Sequence, residues 1–258
     1  MPVEITPQSE ADLRLAHGDQ RSGKNGVCTA IVKEDYWDNL TGIMIPHNSG
    51  QIIKAKRLPE EEWMKMPRPT NPFKYVRVFS PDMKQSKVIR KPDDYMPIST
   101  TKIFANYHIF GMMAAYVGVE DVIENVDNDL FTNAFVISDE SRWFDRRFNM
   151  TSEGKEMANF AATIGKRNLH FLQISQFADQ LEGRLLKFAT TRMYCTYNKV
   201  TKEVTVEIKE KGKPDRNITF YLPWYWTNYD TSERVPAGQY NINRALKKFR
   251  EARQYATA

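Results

Sequence analysis

Residues that build disulfide frameworks and metal clusters are scarce in this sequence. Its 258 residues include two cysteines, Cys28 and Cys195, and four histidines. Two distant cysteines provide neither a disulfide scaffold nor the paired spacing of a zinc site. The histidines are scattered, and no two of them stand at the spacing of metal ligands. These shortages argue against a disulfide-stapled secreted protein and favour a reducing compartment, which we expect to be the cytoplasm.

Long hydrophobic runs are missing as well. No apolar stretch approaches the ~20 residues that a membrane-spanning helix needs, and the N-terminus has no apolar signal-peptide segment. We therefore expect no membrane span. The hydrophobic content of 41% and the charged content of 27% are ordinary for a globular protein. A chain of this length can bury a substantial core as one large domain.

The net charge is small but unevenly distributed. The sequence has a formal net charge of +5. Residues 51–100 contain eleven lysines and arginines against six acidic residues, and residues 239–258 contain five against one. In the remainder, acidic residues outnumber basic ones by 25 to 21. Two basic regions on a slightly acidic body indicate a polyanionic partner, most simply nucleic acid, although ordinary solvated charge would give the same counts.

A glycine-rich stretch near the N-terminus carries the strongest chemical signal. It reads Gly18-Asp19-Gln20-Arg21-Ser22-Gly23-Lys24-Asn25-Gly26, which is G-x-x-x-x-G-K followed by Asn. An apolar segment from Leu13 to Ala16 precedes it, and apolar residues at helical spacing follow it. This is the strand–loop–helix context of a phosphate-binding P-loop. Backbone N–H groups of the loop and the helix N-terminus would bind phosphates, and Lys24 would reach the terminal ones.

Asn25 departs from the usual P-loop signature. The motif normally has Ser or Thr at this position, because a hydroxyl there holds Mg²⁺. An amide oxygen can also ligate a hard cation. We therefore expect the loop to bind ATP with Mg²⁺, and Asn25 to be one of the metal ligands. For the loop taken alone, a glycine-rich turn without nucleotide is the alternative.

A second signal is an apolar run that ends in two carboxylates. Phe135-Val136-Ile137 leads through Ser138 into Asp139 and Glu140. Ligands of open α/β sheets bind at the carboxyl ends of the strands, where these residues would meet a P-loop. Asp139 would then hold Mg²⁺ and Glu140 would activate the attacking water. A strand that ends in solvated acids is the alternative interpretation.

Gln176 follows another apolar run, Leu169–Ile174. At the end of a neighbouring strand, its amide could sense the γ-phosphate or orient water. A lone glutamine on the surface is the competing interpretation. The P-loop and the carboxylate pair upstream favour the functional role.

The remaining pattern divides the chain into parts. We predict an N-terminal arm at 1–12, a P-loop ATPase domain at 13–233, a Pro-rich insertion within it at 46–97, and a basic C-terminal helix at 234–258. The insertion has one clear strand, Tyr75–Phe79, and we expect it to cover an edge of the main sheet. Alternating residues from about 192 to 226 predict a β-meander.

The order of these motifs resembles the FtsK–HerA superfamily of ATPases. The matching elements after the P-loop are Ile137-Ser138-Asp139-Glu140, Arg147, Lys166-Arg167 and Ser175-Gln176. Two further segments, Lys102–His108 and Tyr229–Glu233, resemble its virus and phage branch, which includes genome-packaging and Zot-like morphogenesis ATPases. The resemblance extends from about Leu13 to Glu233. It rests on the order of short motifs.

The resemblance implies an α/β fold of the RecA-like P-loop NTPase type, with a mainly parallel sheet flanked by helices. It also implies a homo-oligomeric ring, usually a hexamer, that translocates double-stranded DNA. By position, Lys24 would bind phosphate, Asp139 would serve Mg²⁺, Glu140 would be the base and Gln176 the sensor. An arginine from a neighbouring subunit would complete the site. The candidates are Arg147, Arg167 and Arg184.

Three functions fit this sequence. The preferred one is an ATP-driven motor on double-stranded DNA, acting in viral genome packaging in the host cytoplasm or with the virion, with a capsid or portal-like protein as a further partner. The second is a Zot-like ATPase for phage assembly or secretion, although such proteins often carry a membrane helix. The third is a P-loop scaffold with little turnover, which Asn25 favours and Glu140 opposes. A small-molecule kinase would need neither Gln176 nor a basic C-terminus.

Overall fold

The computed structural model describes residues 13–19, 21–45, 51–66, 71–139, 160, 163–176, 186, 189–226, 228 and 229. Their strands are β1 (Leu13–His17), β2 (Leu40–Met44), β3 (Ile52–Arg57), β4 (Tyr75–Phe79), β5 (Ser86–Arg90), β6 (Met96–Ser99), β7 (Lys102–Ala105), β8 (Ala114–Tyr116), β9 (Ala134–Asp139), β10 (Leu169–Ser175), β11 (Thr191–Asn198), β12 (Glu203–Glu210) and β13 (Arg216–Tyr221). The helices with described bounds are α1 (Lys24–Asp38), α2 (Glu60–Trp63), α3 (Val119–Glu124) and α4 (Pro223–Trp226). Short 3₁₀ turns lie at Asp129–Phe131 and Gly165–Arg167. Within these ranges, no helix is long and apolar enough to cross a membrane.

The main sheet has eight strands in the order β13-β12-β11-β1-β10-β9-β7-β8. The strands from β11 through β8 pair in parallel, whereas β11, β12 and β13 form an antiparallel meander. The predicted α/β fold with a mainly parallel sheet and a C-terminal meander is therefore confirmed. Strand β1 lies inside the sheet, and β10 separates it from β9. This order brings the ends of the three strands with predicted site residues together.

Helix α1 is enclosed between the main sheet and a second sheet. Buried residues occur around its whole circumference: Val27, Cys28, Ala30, Ile31, Val32, Tyr36 and Trp37. One cluster joins them to Ile174 and Val206 of the main sheet and to Val76 of the second sheet. Twelve of its fifteen residues are buried, including the polar Lys33 and Glu34, so neighbouring elements cover this helix on nearly every side. Packing from both sheets therefore fixes the helix that begins at the P-loop.

The opposite face of the main sheet has its own core. Leu15, Val136 and Phe171 from β1, β9 and β10 pack there with Val122 of α3 and with Phe160. The main sheet is thus covered on both faces, as expected for a parallel sheet.

Most of the second sheet comes from the predicted insertion. Its five antiparallel strands have the order β5-β4-β3-β2-β6. The expectation of a single clear strand was wrong, because β3, β5 and β6 also form. The sheet packs against α1 instead of covering an edge of the main sheet. The strand pattern was hidden by lysines in β3 and by Pro97 in β6, an edge strand where proline is tolerated. The domain boundaries themselves stay predictions.

Candidate nucleotide-binding site

The loop between β1 and α1 has the backbone shape that its two motif glycines allow. Gly18 has φ +146° and Gly23 has φ +88°, a region that side chains with a Cβ rarely adopt. A Cβ on Gly18 would also lie 2.6 Å from the Cys195 carbonyl oxygen. The N–H of Val27 donates to the Gly23 carbonyl at 2.9 Å, which closes the first turn of α1. Both glycines of the G-x-x-x-x-G-K pattern are therefore required by the local geometry.

Lys24 is the first residue of α1 and points back along the loop. Its Nζ donates to the carbonyl oxygens of Gly18 and Asp19, each at 2.7 Å, and the residue is only 7% exposed. The loop's own carbonyls thus hold the ammonium inside the curve of the loop. Binding a phosphate there would exchange these carbonyls for phosphate oxygens, which form stronger charge-assisted hydrogen bonds.

Asn25 and Asp139 meet at the carboxyl edge of the sheet. Asn25 Nδ2 donates to Asp139 Oδ2 at 2.7 Å across 114 positions of sequence. Asp139 ends β9, and Asn25 lies in the first turn of α1. The P-loop and the carboxylate strand, predicted separately from the sequence, are therefore in direct contact.

The donor set at this contact fits Mg²⁺ bound together with a nucleotide. Magnesium is usually held by one or two carboxylates, phosphate oxygens and several waters. Asp139 offers a carboxylate, and Asn25 offers an amide oxygen. Among the described residues, no group of three or more His, Cys, Asp and Glu could hold a metal without such help. The residues therefore fit a metal that arrives with ATP.

Asn106 is a residue of this site that the sequence did not reveal. It follows β7, and its Oδ1 accepts from the Asp139 N–H at 2.8 Å while its Nδ2 donates to the Asp139 carbonyl at 2.9 Å. This amide continues the β7–β9 ladder by one step after Ala105 pairs with Ile137. It fixes the backbone that carries the carboxylate. In the sequence, its signals are an Asn directly after an apolar strand and its position inside the Lys102–His108 segment.

Gln176, the predicted sensor, lies at the carboxyl end of β10. It follows β10, whose Ile174 is paired with Ala16 of β1 on one side and with Asp139 of β9 on the other. Gln176 therefore lies just beyond the strand ends, between the P-loop and the carboxylate strand. Its sensing role stays a prediction.

Arg167 lies at the other end of the same strand. It precedes β10, and its guanidinium donates to Asp129 Oδ1 at 3.0 Å and to the Asp127 carbonyl at 2.6 Å. The seven residues of β10 place it roughly 20 Å from the P-loop edge. It does not reach the site of its own subunit, and action on a neighbour stays a prediction. The other predicted site residues Gln20, Glu140, Arg147 and Arg184 lie outside the described residues.

Gly26 has a packing role that was not foreseen. A Cβ at this position would lie 2.5 Å from Leu222 Cδ1 and 2.8 Å from the Tyr229 hydroxyl. The first turn of α1 therefore approaches the segment after the meander closely. Thr29, one turn further on, shares a 3.0 Å hydrogen bond with the Tyr107 hydroxyl just after Asn106.

Ionisable groups beside the loop are shifted by burial. Burial lowers the pKa of His17 at the end of β1, and nearby Arg192 and Lys24 lower it further. Burial also raises the pKa of Cys195 to about 12 and that of Cys28 well above its usual range. Both thiols are free and buried, so they are unreactive packing residues.

A buried polar cluster ties α1 to the second sheet and to α4. Lys33 Nζ donates to Asn228 Oδ1 at 2.7 Å and lies 4.1 Å from the centre of the Phe73 ring. The next residue, Glu34, forms an ion pair of 2.5 Å with Arg57 of β3 and accepts a hydrogen bond of 2.9 Å from the Tyr225 hydroxyl. Burial lowers the pKa of Lys33 to about 7. Desolvation is the largest cause, and the Glu34 carboxylate opposes it.

The strand order and the loop define a RecA-like P-loop fold. No protein-family model matches the sequence, and no curated protein matches it. Among solved structures, the N-terminal domain of zonular occludens toxin from Neisseria meningitidis is similar over 86% of this chain and 100% of that chain, at 12% identity and a TM-score of 0.50. The RadB recombinase matches over 83% and 88% of the two chains, at 12% identity and a TM-score of 0.43. The flagellar accessory protein FlaH from Methanocaldococcus jannaschii matches over 82% and 85%, at 8% identity and a TM-score of 0.35.

Proposed function

We propose that this protein is a Mg²⁺-dependent ATPase that works as a motor on double-stranded DNA. The observation that carries the ATPase proposal is the hydrogen bond between Asn25 and Asp139. It joins a phosphate-binding loop to a carboxylate at the strand edge where such enzymes hydrolyse nucleotides. Lys24 and Gln176 lie at the same edge.

The residues divide the chemistry of hydrolysis among them. Lys24 would bind the terminal phosphates, and Asn25 and Asp139 would hold the metal. Bound Mg²⁺ would neutralise the charge that develops on the β- and γ-phosphates. Glu140, next after Asp139 in the sequence, takes the proton of the attacking water, and the Gln176 amide orients that water. ADP and inorganic phosphate leave.

We infer the nucleic-acid partner and the oligomeric state from the distribution of charge and from the family resemblance. The basic regions at 51–100 and 239–258 favour a polyanion, and duplex DNA is the partner that the resemblance implies. We propose a homo-oligomeric ring, a hexamer by the resemblance, in which Arg147, Arg167 or Arg184 of one subunit completes the site of the next. Viral genome packaging in the host cytoplasm or at the virion is the process that this combination fits, with a capsid or portal-like protein as partner.

A Zot-like ATPase for phage assembly or secretion is the second candidate. The observation that favours it is the fold likeness to the zonular occludens toxin domain, which this chain covers over its whole length. Such a protein would hydrolyse ATP without requiring duplex DNA. A P-loop scaffold would bind ATP and DNA with little turnover, and Asn25 in place of Ser or Thr favours it.

One experiment separates these functions. ATP hydrolysis by the purified protein is measured with Mg²⁺, in the presence and absence of duplex DNA, and ATP binding is measured alongside. The motor predicts hydrolysis that duplex DNA stimulates, and Glu140→Gln should abolish it. Hydrolysis that ignores DNA favours the Zot-like function, and binding without turnover favours the scaffold. Absence of ATP binding would overturn all three.

A further inference from the structure

The two faces of the second sheet differ in chemistry. In β3, Ala55 is buried between the exposed residues Lys54 and Lys56. The face that carries Ala55 packs against α1 together with Ile43, Val76 and Val78. Because side chains alternate along a strand, Lys54 and Lys56 project from the opposite face.

Strand register collects further cations on that opposite face. Lys56 is paired with Arg77 of β4, and Tyr75 of β4 is paired with Arg90 of β5. Residues directly opposite each other on neighbouring strands share a face. The side chains of Lys54, Lys56, Arg77 and Arg90 therefore form one surface, which we call the outer basic face.

The charge of this surface is not balanced by its surroundings. Residues 51–66 and 71–99, which include β3 to β6, contain ten lysines and arginines against six acidic residues. Of those acids, Glu62 forms an ion pair with Arg77, and Asp82 accepts hydrogen bonds from Ser80 and from the N–H of Lys84 within its own turn. The outer basic face keeps a positive excess, which is what a polyanion recognises.

Protection of a sheet edge does not explain these charges. Exposed lysines often blunt edge strands against aggregation. Lys54 and Lys56, however, lie on β3, the middle strand of the five. Lys56 also faces Arg77 directly. The Glu62 carboxylate pairs with Arg77 and offsets part of the repulsion between these two like charges, and an anionic partner on this surface would offset it further.

The aromatic residues of the surface indicate which kind of nucleic acid fits. Tyr75 and Phe79 share this face but are both half-buried in it. Proteins that bind single-stranded nucleic acid present aromatic rings on which unpaired bases can stack. Tyr75 and Phe79 are half-buried on either side of Arg77 in β4, so less of each ring is open for base stacking, which favours the regular phosphate backbone of a duplex.

The same sheet is joined directly to the helix of the nucleotide site. Arg57 of β3 is paired with Glu34 at 2.5 Å and with Asp38 at 2.6 Å, both on α1. The Tyr36 hydroxyl donates to the Pro97 carbonyl of β6 at 2.8 Å. One packed layer therefore separates the outer basic face from the helix that starts at Lys24.

We infer that the outer basic face is the surface on which this protein binds the phosphate backbone of duplex DNA. The inference rests on the proposed DNA-directed function and assigns it a location. Through the Arg57–Glu34 contact, DNA on this face would act on α1, so binding and hydrolysis should be coupled.

The test removes three exposed cations together, as Lys54→Gln, Lys56→Gln and Arg90→Gln. Duplex affinity is measured by fluorescence anisotropy over a range of salt concentrations. Removing one phosphate contact should reduce the log–log salt slope by about 0.9, so the triple variant should show a reduction of up to about 2.7. Basal ATP hydrolysis should persist, its stimulation by DNA should fall, and preference among duplex sequences should not change.

The matched control removes the same charge elsewhere. Lys199→Gln, Lys202→Gln and Lys211→Gln alter exposed lysines in the turns of the meander and should keep the wild-type slope. Nucleotide affinity and circular dichroism check that both triple variants fold. The single variant Lys56→Gln, with an expected reduction of about 0.9, tests the same surface with one change.

The outcomes separate this inference from the proposed function. If the wild type neither binds duplex DNA nor responds to it, the DNA function fails and this surface fails with it. If the wild type binds but the outer-face variant keeps its slope, only the location is wrong. An equal reduction in the control would also overturn the inference, because the effect would then be one of net charge. If the outer-face variant keeps the wild-type salt slope but forms a smaller particle, the surface is a contact between subunits and the inference is wrong.

Discussion

Lys24 is the residue on which the proposed nucleotide binding depends most directly. In the proposed site it is the cation that would meet the terminal phosphates, so Lys24→Ala should abolish ATP binding. Glu140→Gln should keep binding and lose hydrolysis, because it removes the base and leaves Lys24 in place. Calorimetric titration with ATP measures the nucleotide affinity of both variants. Wild-type affinity in Lys24→Ala would contradict the P-loop assignment.

A substitution at Asn25 tests the proposed metal site. Thr at this position supplies the hydroxyl that P-loops usually offer to Mg²⁺, and it can still donate to Asp139. We expect Asn25→Thr to preserve or raise Mg²⁺-dependent turnover, measured as a rate against Mg²⁺ concentration. A large fall in rate would mean that the Asn25–Asp139 hydrogen bond is needed for another purpose.

Asn106 acts through Asp139, so it is a positioning residue. Asn106→Leu keeps the approximate volume but removes the hydrogen bonds that Asn106 makes to the Asp139 N–H and carbonyl, at up to about 1–3 kcal/mol for each of these part-buried groups. Removal of such outer-shell support typically weakens metal binding by about 10–100-fold. We expect a higher Mg²⁺ concentration at half-maximal hydrolysis, with little change in metal-free nucleotide affinity.

A control for Asn106 is the same change on an exposed strand. Asn217→Leu in β13 alters an exposed residue and should leave the Mg²⁺ dependence at its wild-type value. If both variants lose thermal stability equally and neither shifts the Mg²⁺ midpoint, Asn106 is structural only.

At the scale of elements, the buried Lys33 of α1 should make the free energy of unfolding depend on pH. The folded pKa of Lys33 is about 7, well below the ~10.4 of an unfolded lysine. Between these values the unfolded chain binds the extra proton, so the free energy of unfolding should rise with pH from 7 towards 10. The rise is at most about 1.4 kcal/mol per pH unit.

Lys33→Met should remove that rise. The variant has no proton to bind in either state, although Asn228 loses a hydrogen-bond donor and overall stability falls. Urea unfolding at pH 7 and pH 9 measures the difference, and Lys199→Met at an exposed turn is the control. Equal pH dependence in Lys33→Met and the wild type would refute the role of Lys33.

Elements with local signals were predictable, and those defined by tertiary pairing were not. The P-loop and the run into Asp139 are short motifs whose chemistry depends on residues close in sequence. Strand β3 contains Lys54 and Lys56, and β6 contains Pro97, so their patterns favoured a loop-rich insertion. The role of Asn106 needs the β7–β9 register, which no local pattern encodes.

For the whole molecule, α1 is the element that both sheets share. Its first turn carries Lys24 and Asn25, its middle carries the buried Lys33 and Glu34, and the second sheet packs on its side. A force applied to the second sheet would therefore reach the proposed nucleotide site through one buried helix. This arrangement suits an enzyme in which partner binding and hydrolysis depend on each other.

The basic C-terminal region supplies the last prediction, which rests on the sequence because these residues lie outside the described ranges. Arg244, Lys247, Lys248, Arg250 and Arg253 cannot all face the same side as Ile242, Leu246 and Phe249 in an amphipathic helix. If they bind DNA, changing Lys247, Lys248 and Arg250 to Gln should weaken duplex binding and flatten its salt slope by about 0.9 for each phosphate no longer neutralised. Basal ATP hydrolysis should survive.

Combining this variant with the outer-face variant tests whether both regions hold one duplex. Contacts at separate sites contribute independently, so the two reductions in slope should add. The rival is a helix that packs on a neighbouring subunit, in which case the C-terminal variant would reduce particle mass before it affects DNA affinity. Salt-dependent binding measured together with particle mass separates the two. A smaller particle with an unchanged slope would refute the DNA role of the C-terminal region and leave the second sheet as the surface that meets the duplex.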